Sequence, residues 1–228
     1  MATSGTTAFA LDLTELAEEA WERAGRPMRS GYDLRTARRS LNLLLIEWQN
    51  RGLNMWTFDS DTIALTEGDA VYQMPDDTVD VMDCVIRTNA GSESLQNDLA
   101  ITRISQPTYT SIPNKLTPGR PLQMLVTRGV DNPTLTLWPV PDQDSYYTLV
   151  YWRLRRMEDA GDGVNTPDVN YRFLPALVAG LAFYIATKTP ALADRIVMLE
   201  AQYERQFQLA SEEDREKASM RLVPRMRY

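Results

Sequence analysis

The sequence predicts an α+β fold, with an antiparallel helical bundle built from the N- and C-terminal thirds and an antiparallel β domain inserted between them. Apolar residues recur at three- and four-residue spacing near both ends, which is typical of amphipathic helices. Between residues 55 and 156 this period disappears, and short alternating runs separated by turn residues replace it. We therefore divide the 228 residues into a first bundle part at 1–54, a β domain at 55–157, a linker and second bundle part at 158–218, and a basic C-terminal arm at 219–228.

The first helix is predicted to begin after Asp12, its expected N-cap residue, with Glu15 completing a capping box. Gly25 is expected to end the helix in the left-handed conformation, and Pro27 prevents its continuation. The apolar positions that fall on one stripe are Leu13, Leu16, Ala17, Ala20, Trp21 and Ala24.

The second helix is predicted from Asp33, its expected N-cap, to Arg51. Leu43 and Ile46 widen its apolar surface beyond one face, so we expect the helix to be covered on two sides. Its main stripe contains Leu34, Ala37, Leu41, Leu44, Leu45 and Trp48.

The end of this helix is predicted to be a domain junction. Gly52 is expected to stop the helix as a left-handed glycine. Trp48 before it and Trp56 after it are then core residues on either side of the junction and not a ligand site.

The β region is predicted to be a set of antiparallel strands joined by short loops. Residues 56–75 are expected to form a hairpin that turns at 66–69. Strict alternation at 79–88 would place Val81 with Asp83 on one face and Cys84 with Ile86 on the other. Three further strands, within 121–156, are expected to form a meander.

The C-terminal region is predicted to contain a turn-rich linker at 158–170 followed by two helices. The first, at 171–188, is apolar nearly all round. Pro190 is expected at the first position of the second helix, where a missing N–H has no cost.

The composition argues against an enzyme. The chain has no histidine, which removes Ser–His and Cys–His pairs and every His-containing zinc site. The single Cys84 excludes an intramolecular disulfide and indicates a reducing cytoplasm. No phosphate-binding glycine motif, membrane-length apolar run or signal peptide is found. We predict no catalysis, no cofactor, no metal and no membrane association.

Charge is distributed unevenly. The net charge is −7, and no basic residue occurs between Arg51 and Arg87. A protein that coats duplex DNA would need the opposite sign on its contact face. The acids in this stretch, which we expect on a solvated surface, are Asp59, Asp61, Glu67, Asp69, Asp76, Asp77, Asp80 and Asp83.

Two other functions stay open. A carboxylate-dependent hydrolase would need two acids in one cleft, and Asp76 with Asp77 is the test pair. A sugar- or nucleic-acid-binding β module would stack its ligand on Tyr147, Tyr151 and Trp152. Turn aspartates more often cap their own backbone, and strand aromatics more often pack in the sheet.

Three passages resemble the head-to-tail adaptor family of tailed phages, which includes the tail tubular protein A and packaged-DNA stabilisation types of short-tailed phages. One of these passages is the closing pair of helices, at 174–188 and 192–210. The residues that carry the other two are Leu41, Asn42, Leu45, Trp48, Gly52, Leu53 and Trp56, and then Leu135, Leu137, Pro139, Pro141, Tyr147, Leu149 and Tyr151. The basic arm has no counterpart that we can align.

The resemblance implies a structural virion protein in the neck, made in the bacterial host cytoplasm. Such proteins form a ring, usually of twelve copies, between the portal protein and a tail nozzle or tail tube. The helical part and the C-terminal segment dock on the portal, and the β part faces the tail. The ring extends the DNA channel and helps to retain packaged DNA, which passes through it without sequence-specific binding.

Two sets of residues acquire roles under this resemblance. The basic arm, through Arg221, Arg225, Arg227 and Tyr228, is expected to bind the portal and to fold on contact with an acidic surface. Acids that repel phosphate are expected to line the channel or face the tail. These acids are Asp59, Asp61, Glu67, Asp69, Asp76 and Asp77.

Overall fold

The computed structural model describes residue 3 and residues 5–7, 9–52, 55–129 and 132–214. Within these residues, five α-helices and eight β-strands fall into two compact units. The unit at 57–156 holds all eight strands and one short helix, and the other unit holds the helices on either side. The α+β class is therefore confirmed.

Along the chain, two helices are followed by the strands, which include one short helix, and then by two more helices. The helices are α1 (Leu13–Ala24), α2 (Gly31–Arg51), α3 (Gln106–Thr110), α4 (Leu174–Lys188) and α5 (Ile196–Glu213). The strands are β1 (Phe58–Ala64), β2 (Val71–Gln73), β3 (Thr78–Thr88), β4 (Asn97–Ala100), β5 (Thr102–Arg103), β6 (Gln123–Thr127), β7 (Thr134–Trp138) and β8 (Tyr147–Arg155).

Helix α1 has the ends that its sequence predicts. The Asp12 carboxylate accepts a hydrogen bond from the Glu15 amide at 2.8 Å, and the Glu15 carboxylate accepts one from the Asp12 amide at 3.3 Å, which completes the capping box. Gly25 ends the helix at φ +106°, in the left-handed region that favours glycine. All six residues of the predicted apolar stripe are buried.

The start of α2 differs from the prediction. Ser30, not Asp33, is the N-cap residue, and its hydroxyl accepts from the Asp33 amide. The Asp33 carboxylate instead turns back to accept from the Arg29 amide at 3.1 Å and from Arg26 Nη2 at 2.8 Å. The hydrogen bond from the Arg29 backbone is the main cause that lowers the pKa of Asp33. Asp33 therefore fixes the turn between α1 and α2.

Two other predicted helix boundaries are wrong. Gly52 has φ 161° and ψ −168°, an extended conformation that any residue can adopt, so α2 does not end on a left-handed glycine. Pro190 begins a 3₁₀ segment, Pro190–Arg195, and the α-helical hydrogen bonding of α5 starts only at Ile196. A tightened turn at a helix start is a common way to redirect the chain.

Helix α4 is the centre of the helical unit, where it packs against α1, α2 and α5. Ten of its fifteen residues are buried. Gly180 makes this approach possible, because a Cβ at this position would lie 2.8 Å from Cε2 of Tyr203 and 2.9 Å from Cδ2 of Leu44. Residues from α2 and α5 thus meet directly over the missing side chain.

The segment at 158–170 is attached to the helical unit at several points. The Leu13 amide donates to the Asn165 carbonyl at 3.0 Å, and the Thr14 hydroxyl donates to the Gly163 carbonyl at 2.9 Å. Asn42 on α2 accepts from the Ala160 amide at 2.8 Å. This segment was predicted as a linker, and its backbone groups are used to hold it against α1 and α2.

The β unit consists of two four-stranded sheets. Their strand orders are β1-β8-β3-β4 and β2-β7-β6-β5. Buried side chains from both sheets form one core. Its members are Leu65, Tyr72, Met74, Val81, Cys84, Ile86, Ile101, Met124, Leu135, Leu137, Tyr147, Leu149 and Tyr151.

The hairpin predicted at 56–75 is wrong. The chain does turn at 66–69, where the Asp69 amide donates to the Thr66 carbonyl and Gly68 has φ +82°. However, β1 pairs with β8 and β2 pairs with β7, so the turn carries the chain from one sheet to the other. The predicted meander is wrong for the same reason. β7 pairs with β6, but β8 lies in the other sheet, between β1 and β3.

Strand β3 contains irregularities that alternation alone does not predict. Its register against β8 shifts between Thr78 and Asp80 and again between Val81 and Asp83. The second shift brings Val81 to the same buried side as Cys84 and Ile86, and leaves Asp83 exposed. The sheets are also not wholly antiparallel, because β5 pairs with β6 in the parallel direction.

None of the helices in the described ranges has the length and apolar character that crossing a membrane would require.

We predict that Gly180→Ala lowers stability although alanine is the better helix former. Alanine gains about 1 kcal/mol of helix propensity, whereas overpacking of a full core costs about 1–3 kcal/mol. The free energy of unfolding, measured by urea denaturation with helical circular dichroism, should therefore fall by about 1 kcal/mol. Gly31→Ala, where no atom lies within 4 Å of the new Cβ, is the matched control and should leave stability unchanged or raised. A Gly180→Ala variant as stable as wild type would contradict this packing.

Candidate functional site

The predicted junction residues belong to the aromatic core of the helical unit. Trp48 is fully buried, and its ring lies 5.5 Å from that of Phe173. Trp56 is half-buried, with its ring 4.7 Å from Phe173, and its Nε1 donates to the Asp168 carbonyl at 3.2 Å. Neither ring is offered to a ligand, so the two tryptophans hold the helical unit together.

A hydrogen-bond network around Glu47 joins α2, α4 and α5. Trp48 Nε1 donates to the Tyr203 hydroxyl at 2.8 Å, and this hydroxyl donates to Glu47 Oε1 at 3.1 Å. The Tyr184 hydroxyl donates to Glu47 Oε2 at 2.5 Å. Burial, followed by the hydrogen bond to the Glu47 carboxylate, raises the pKa of Tyr184 to about 12, so this tyrosine remains a donor at neutral pH.

Arg51 closes this network at the surface. Its guanidinium donates to Glu47 at 2.7 Å and makes two hydrogen bonds, at 2.8 and 2.6 Å, to the carboxylate of Glu204 on α5. It also lies 4.8 Å above the centre of the Phe207 ring. A paired fork of this kind fixes the orientation of both side chains.

Two of the six acids that we expected to line the channel or face the tail converge on one arginine. Asp59 on β1 accepts from Arg153 Nη2 at 3.1 Å, and Asp77 accepts from Arg153 Nη1. Arg153 also donates to the Thr78 hydroxyl at 2.9 Å, and its side chain is only 9% exposed. Burial tends to lower the pKa of Arg153, but its carboxylate partners outweigh burial and the pKa is raised. Asp59 and Asp77 therefore stabilise the sheet.

Asp80 forms a second cluster of this type. Its carboxylate pairs with Arg103 at 3.0 Å and with Arg128. Burial raises the pKa of Asp80, but the hydrogen bonds and charges of Arg128 and Arg103 outweigh it, so the pKa is lowered overall. The stretch without bases in the sequence is thus neutralised in part by arginines from β5, β8 and the end of β6.

The other four predicted acids stay at the surface. Asp76 accepts from Asn132 Nδ2 at 2.6 Å, and Asp61 accepts from the Tyr151 hydroxyl at 3.4 Å. Glu67 and Asp69 lie exposed around the turn at Gly68. In the described part of the chain, none of these four carboxylates has an ion pair.

The geometry argues against both alternative functions. Tyr147 and Tyr151 are 5% and 1% exposed and cannot stack a sugar or base, which leaves Trp152 alone at 39%. Asp77 is held by Arg153 and Asp76 by Asn132, so the pair does not form a free acid–base couple. No group of three or more Cys, Asp and Glu side chains within the described ranges is arranged to hold a metal ion.

The predicted portal-binding residues of the arm, Arg221, Arg225, Arg227 and Tyr228, lie outside the described residues. Leu53, one of the residues that carry the family resemblance, does as well.

Two faces of the helical unit are exposed in the structure. Leu43 and Ile46 on α2, which we expected to be covered, are 52% and 54% exposed. They continue a stripe of exposed residues that begins at Tyr32 and includes Arg35 and Arg39. The other face lies on α1, where Glu18 and Glu22 are exposed. The surplus of apolar residues on α2 was the available signal for the first face.

These features describe a protein that acts through its surfaces. Among the described residues, many charged groups form ion pairs within one unit or lie exposed, and the network around Glu47 connects three helices. An arrangement of this kind suits a structural assembly protein.

The comparison with known families agrees. The sequence matches the SU10 adaptor protein family over residues 11–225, and the chain belongs to that family. The resemblance to phage head-to-tail adaptors is thereby confirmed, and the protein is a structural adaptor of a tailed phage. Family membership implies a place in the virion neck and interaction with portal and tail components. No curated protein matches the sequence.

We predict that Asp80→Asn destabilises the β unit in a pH-dependent way. At pH 7 the variant should lose about 1–2 kcal/mol of unfolding free energy, because Arg103 and Arg128 lose an ionised acceptor. A carboxyl group whose pKa is lowered in the folded state stabilises the protein at pH values above its ordinary pKa of about 4. This stabilisation is lost as the pH falls through the folded-state pKa. The difference between wild type and variant should therefore shrink below about pH 4.

The measurement is urea denaturation at several pH values. Asp69→Asn removes an exposed carboxylate without an ion pair among the described residues and serves as the control. An Asp80→Asn difference that stayed constant from pH 7 to about pH 3 would contradict the assignment.

Proposed function

We propose that this protein forms a ring of twelve copies beneath the portal vertex of the capsid, where it extends the DNA channel, helps to retain packaged DNA and provides the platform for a tail nozzle or tail tube. The observation that carries this proposal is the match to the SU10 adaptor family over nearly the whole chain. The exposed apolar side chains of Leu43 and Ile46 on α2 support it, since exposed apolar patches often mark protein–protein contact sites.

Within this proposal, the helical segments at 1–54 and 158–218 form an antiparallel bundle that docks on the portal, and the β domain at 55–157 faces the tail. The packing of α4 against α1, α2 and α5 supports a rigid docking platform. A β unit with its own core supports a separate tail-facing role.

The exposed acids of the β unit are proposed to discourage DNA from binding to the channel wall. Like charge repels phosphate, and this repulsion helps a polyanion to pass without sticking. Asp61, Glu67 and Asp69 carry this role best, because they are exposed and form no ion pair with described residues. Asp59 and Asp77 contribute less, since Arg153 compensates their charge.

Electron microscopy of the full-length protein mixed with its cognate portal tests the main proposal. We expect a twelvefold ring on the portal, with Asp61, Glu67 and Asp69 on the channel or the tail-facing surface. A monomer without affinity for the portal would overturn the ring. A ring with these acids on its outer wall would remove the channel role alone.

The C-terminal arm is proposed to bind the portal through Arg221, Arg225, Arg227 and Tyr228. Deleting residues 219–228 should weaken portal binding by about tenfold or more, because complementary charges set both encounter and register at such interfaces. Surface-immobilised portal provides the measurement. The triple variant Arg221→Gln, Arg225→Gln, Arg227→Gln separates charge from length, and undiminished binding after deletion would refute the role of the arm.

A further inference from the structure

The outward stripe of α2 combines positive charge with exposed apolar side chains. Tyr32, Arg35, Arg39, Leu43 and Ile46 follow one another at three- or four-residue spacing and are all exposed. Such spacing places them along one side of the helix. The stripe is therefore a continuous surface, basic towards its N-terminal end and apolar towards its C-terminal end.

The positive charge of this stripe is not compensated within the described residues. Neither Arg35 nor Arg39 has an ion pair there, and the nearby Arg38 reaches only the 88%-exposed Asp162 at 3.7 Å. Lys188 on α4 adds to the same side, with its Nζ donating to Ser40 on α2 at 2.8 Å. Burial first, and then the charge of the nearby Arg39, lowers the pKa of Lys188.

A complementary surface lies on another part of the same unit. A groove of about 490 Å³ is walled by four glutamates of α1, and its apolar lining comes from the N-terminal segment and from α4. The glutamates are Glu15, Glu18, Glu19 and Glu22, the apolar residues are Phe9, Leu11, Leu174, Pro175 and Val178, and Arg23 is the one cation among the described residues of the lining. Glu15 is used by the capping box and Glu19 by Arg23, but Glu18 and Glu22 have no ion pair with any described residue.

We propose that the α2 stripe of one copy docks into the α1 groove of the next copy, so that Arg35 and Arg39 meet Glu18 and Glu22 while Leu43 and Ile46 enter the apolar lining of the groove. Each surface carries what the other lacks: uncompensated cations with protruding aliphatic side chains against uncompensated carboxylates with an apolar depression. The protein as a whole is acidic at net charge −7, so a basic face is selective for an acidic docking site.

The symmetry of this contact matters. The two surfaces differ, so the contact is heterologous: each copy uses its stripe on one neighbour and its groove on the other. Heterologous contacts close into rings when the rotation per copy permits. The proposal thus rests on the proposed ring and names the surfaces of the helical unit that would build it.

A charge-reversal cycle tests the contact. Arg35→Glu with Arg39→Glu makes both faces acidic, and Glu18→Arg with Glu22→Arg makes both faces basic. We expect each variant alone to need at least about tenfold more protein to load the portal with a full ring, as followed by mass photometry. An equimolar mixture of the two variants should load normally, because each supplies the face that the other has lost. The variant with all four changes should also recover.

Matched controls separate this contact from general charge effects. Glu200→Arg with Glu212→Arg on α5 changes the net charge by the same amount as Glu18→Arg with Glu22→Arg, on exposed positions outside both surfaces, and should load as wild type. Failure of wild type itself to load the portal would overturn the proposed function. Normal loading by wild type and by both reversed variants, or a mixture that does not recover, would overturn this interface alone.

A cysteine pair provides an independent measurement if either reversal disturbs folding. Glu18→Cys with Arg39→Cys should give a ladder of covalently linked copies when the assembled ring is treated with a bismaleimide, whose reach, unlike that of a disulfide, covers the span of an Arg–Glu pair. Cys84 is buried and does not compete. The pair Glu200→Cys with Glu212→Cys is the control and should give no ladder. Absence of cross-links in assembled rings carrying the first pair would refute the contact.

Discussion

The helical unit depends on one carboxylate. Glu47 lies on α2 and accepts hydrogen bonds from Tyr184 on α4, from Tyr203 on α5 and from Arg51 on its own helix. Tyr203 in turn accepts from the indole of Trp48 at 2.8 Å. Trp48 and Tyr203 are buried among apolar side chains, where an unsatisfied polar atom costs about 1–3 kcal/mol. The network therefore permits one arrangement of the three helices, and Gly180 permits the close approach that this arrangement needs.

The structure shows which parts of the fold a sequence can predict. The caps and stripe of α1 follow from residues within one or two turns, so their prediction holds. The hairpin at 56–75 fails because a correct local turn says nothing about which strand lies beside β1. The predicted placement of Val81 on the face opposite Cys84 fails for a related reason, since the register shift in β3 arises only in pairing with β8. The local signals of α1 were sufficient, those at the ends of α2 and at Pro190 were not, and the pairing of strands was not predicted.

The same limit explains the surface acids. Asp59, Asp77 and Asp80 occur in a stretch of the sequence without bases, yet arginines distant in the chain neutralise them. Arg153 is 76 residues from Asp77, and Arg128 is 48 residues from Asp80. Sequence charge therefore overstated the acidity of this part of the β unit. Charge patterns within one helix are more reliable, because three- and four-residue spacing fixes a common face without any tertiary information.

The internal network and the uncovered faces are connected by a physical argument. Because the Glu47 network and the apolar surfaces of α4 already define the helical unit, α2 does not need Leu43 and Ile46 for its own packing. These side chains are free to serve an interface. Charged rims around an apolar contact give specificity and fast encounter more than raw affinity, which suits a subunit that must find its place in an assembling particle. A helical unit that is packed around its own core can offer such a face to a neighbour without refolding.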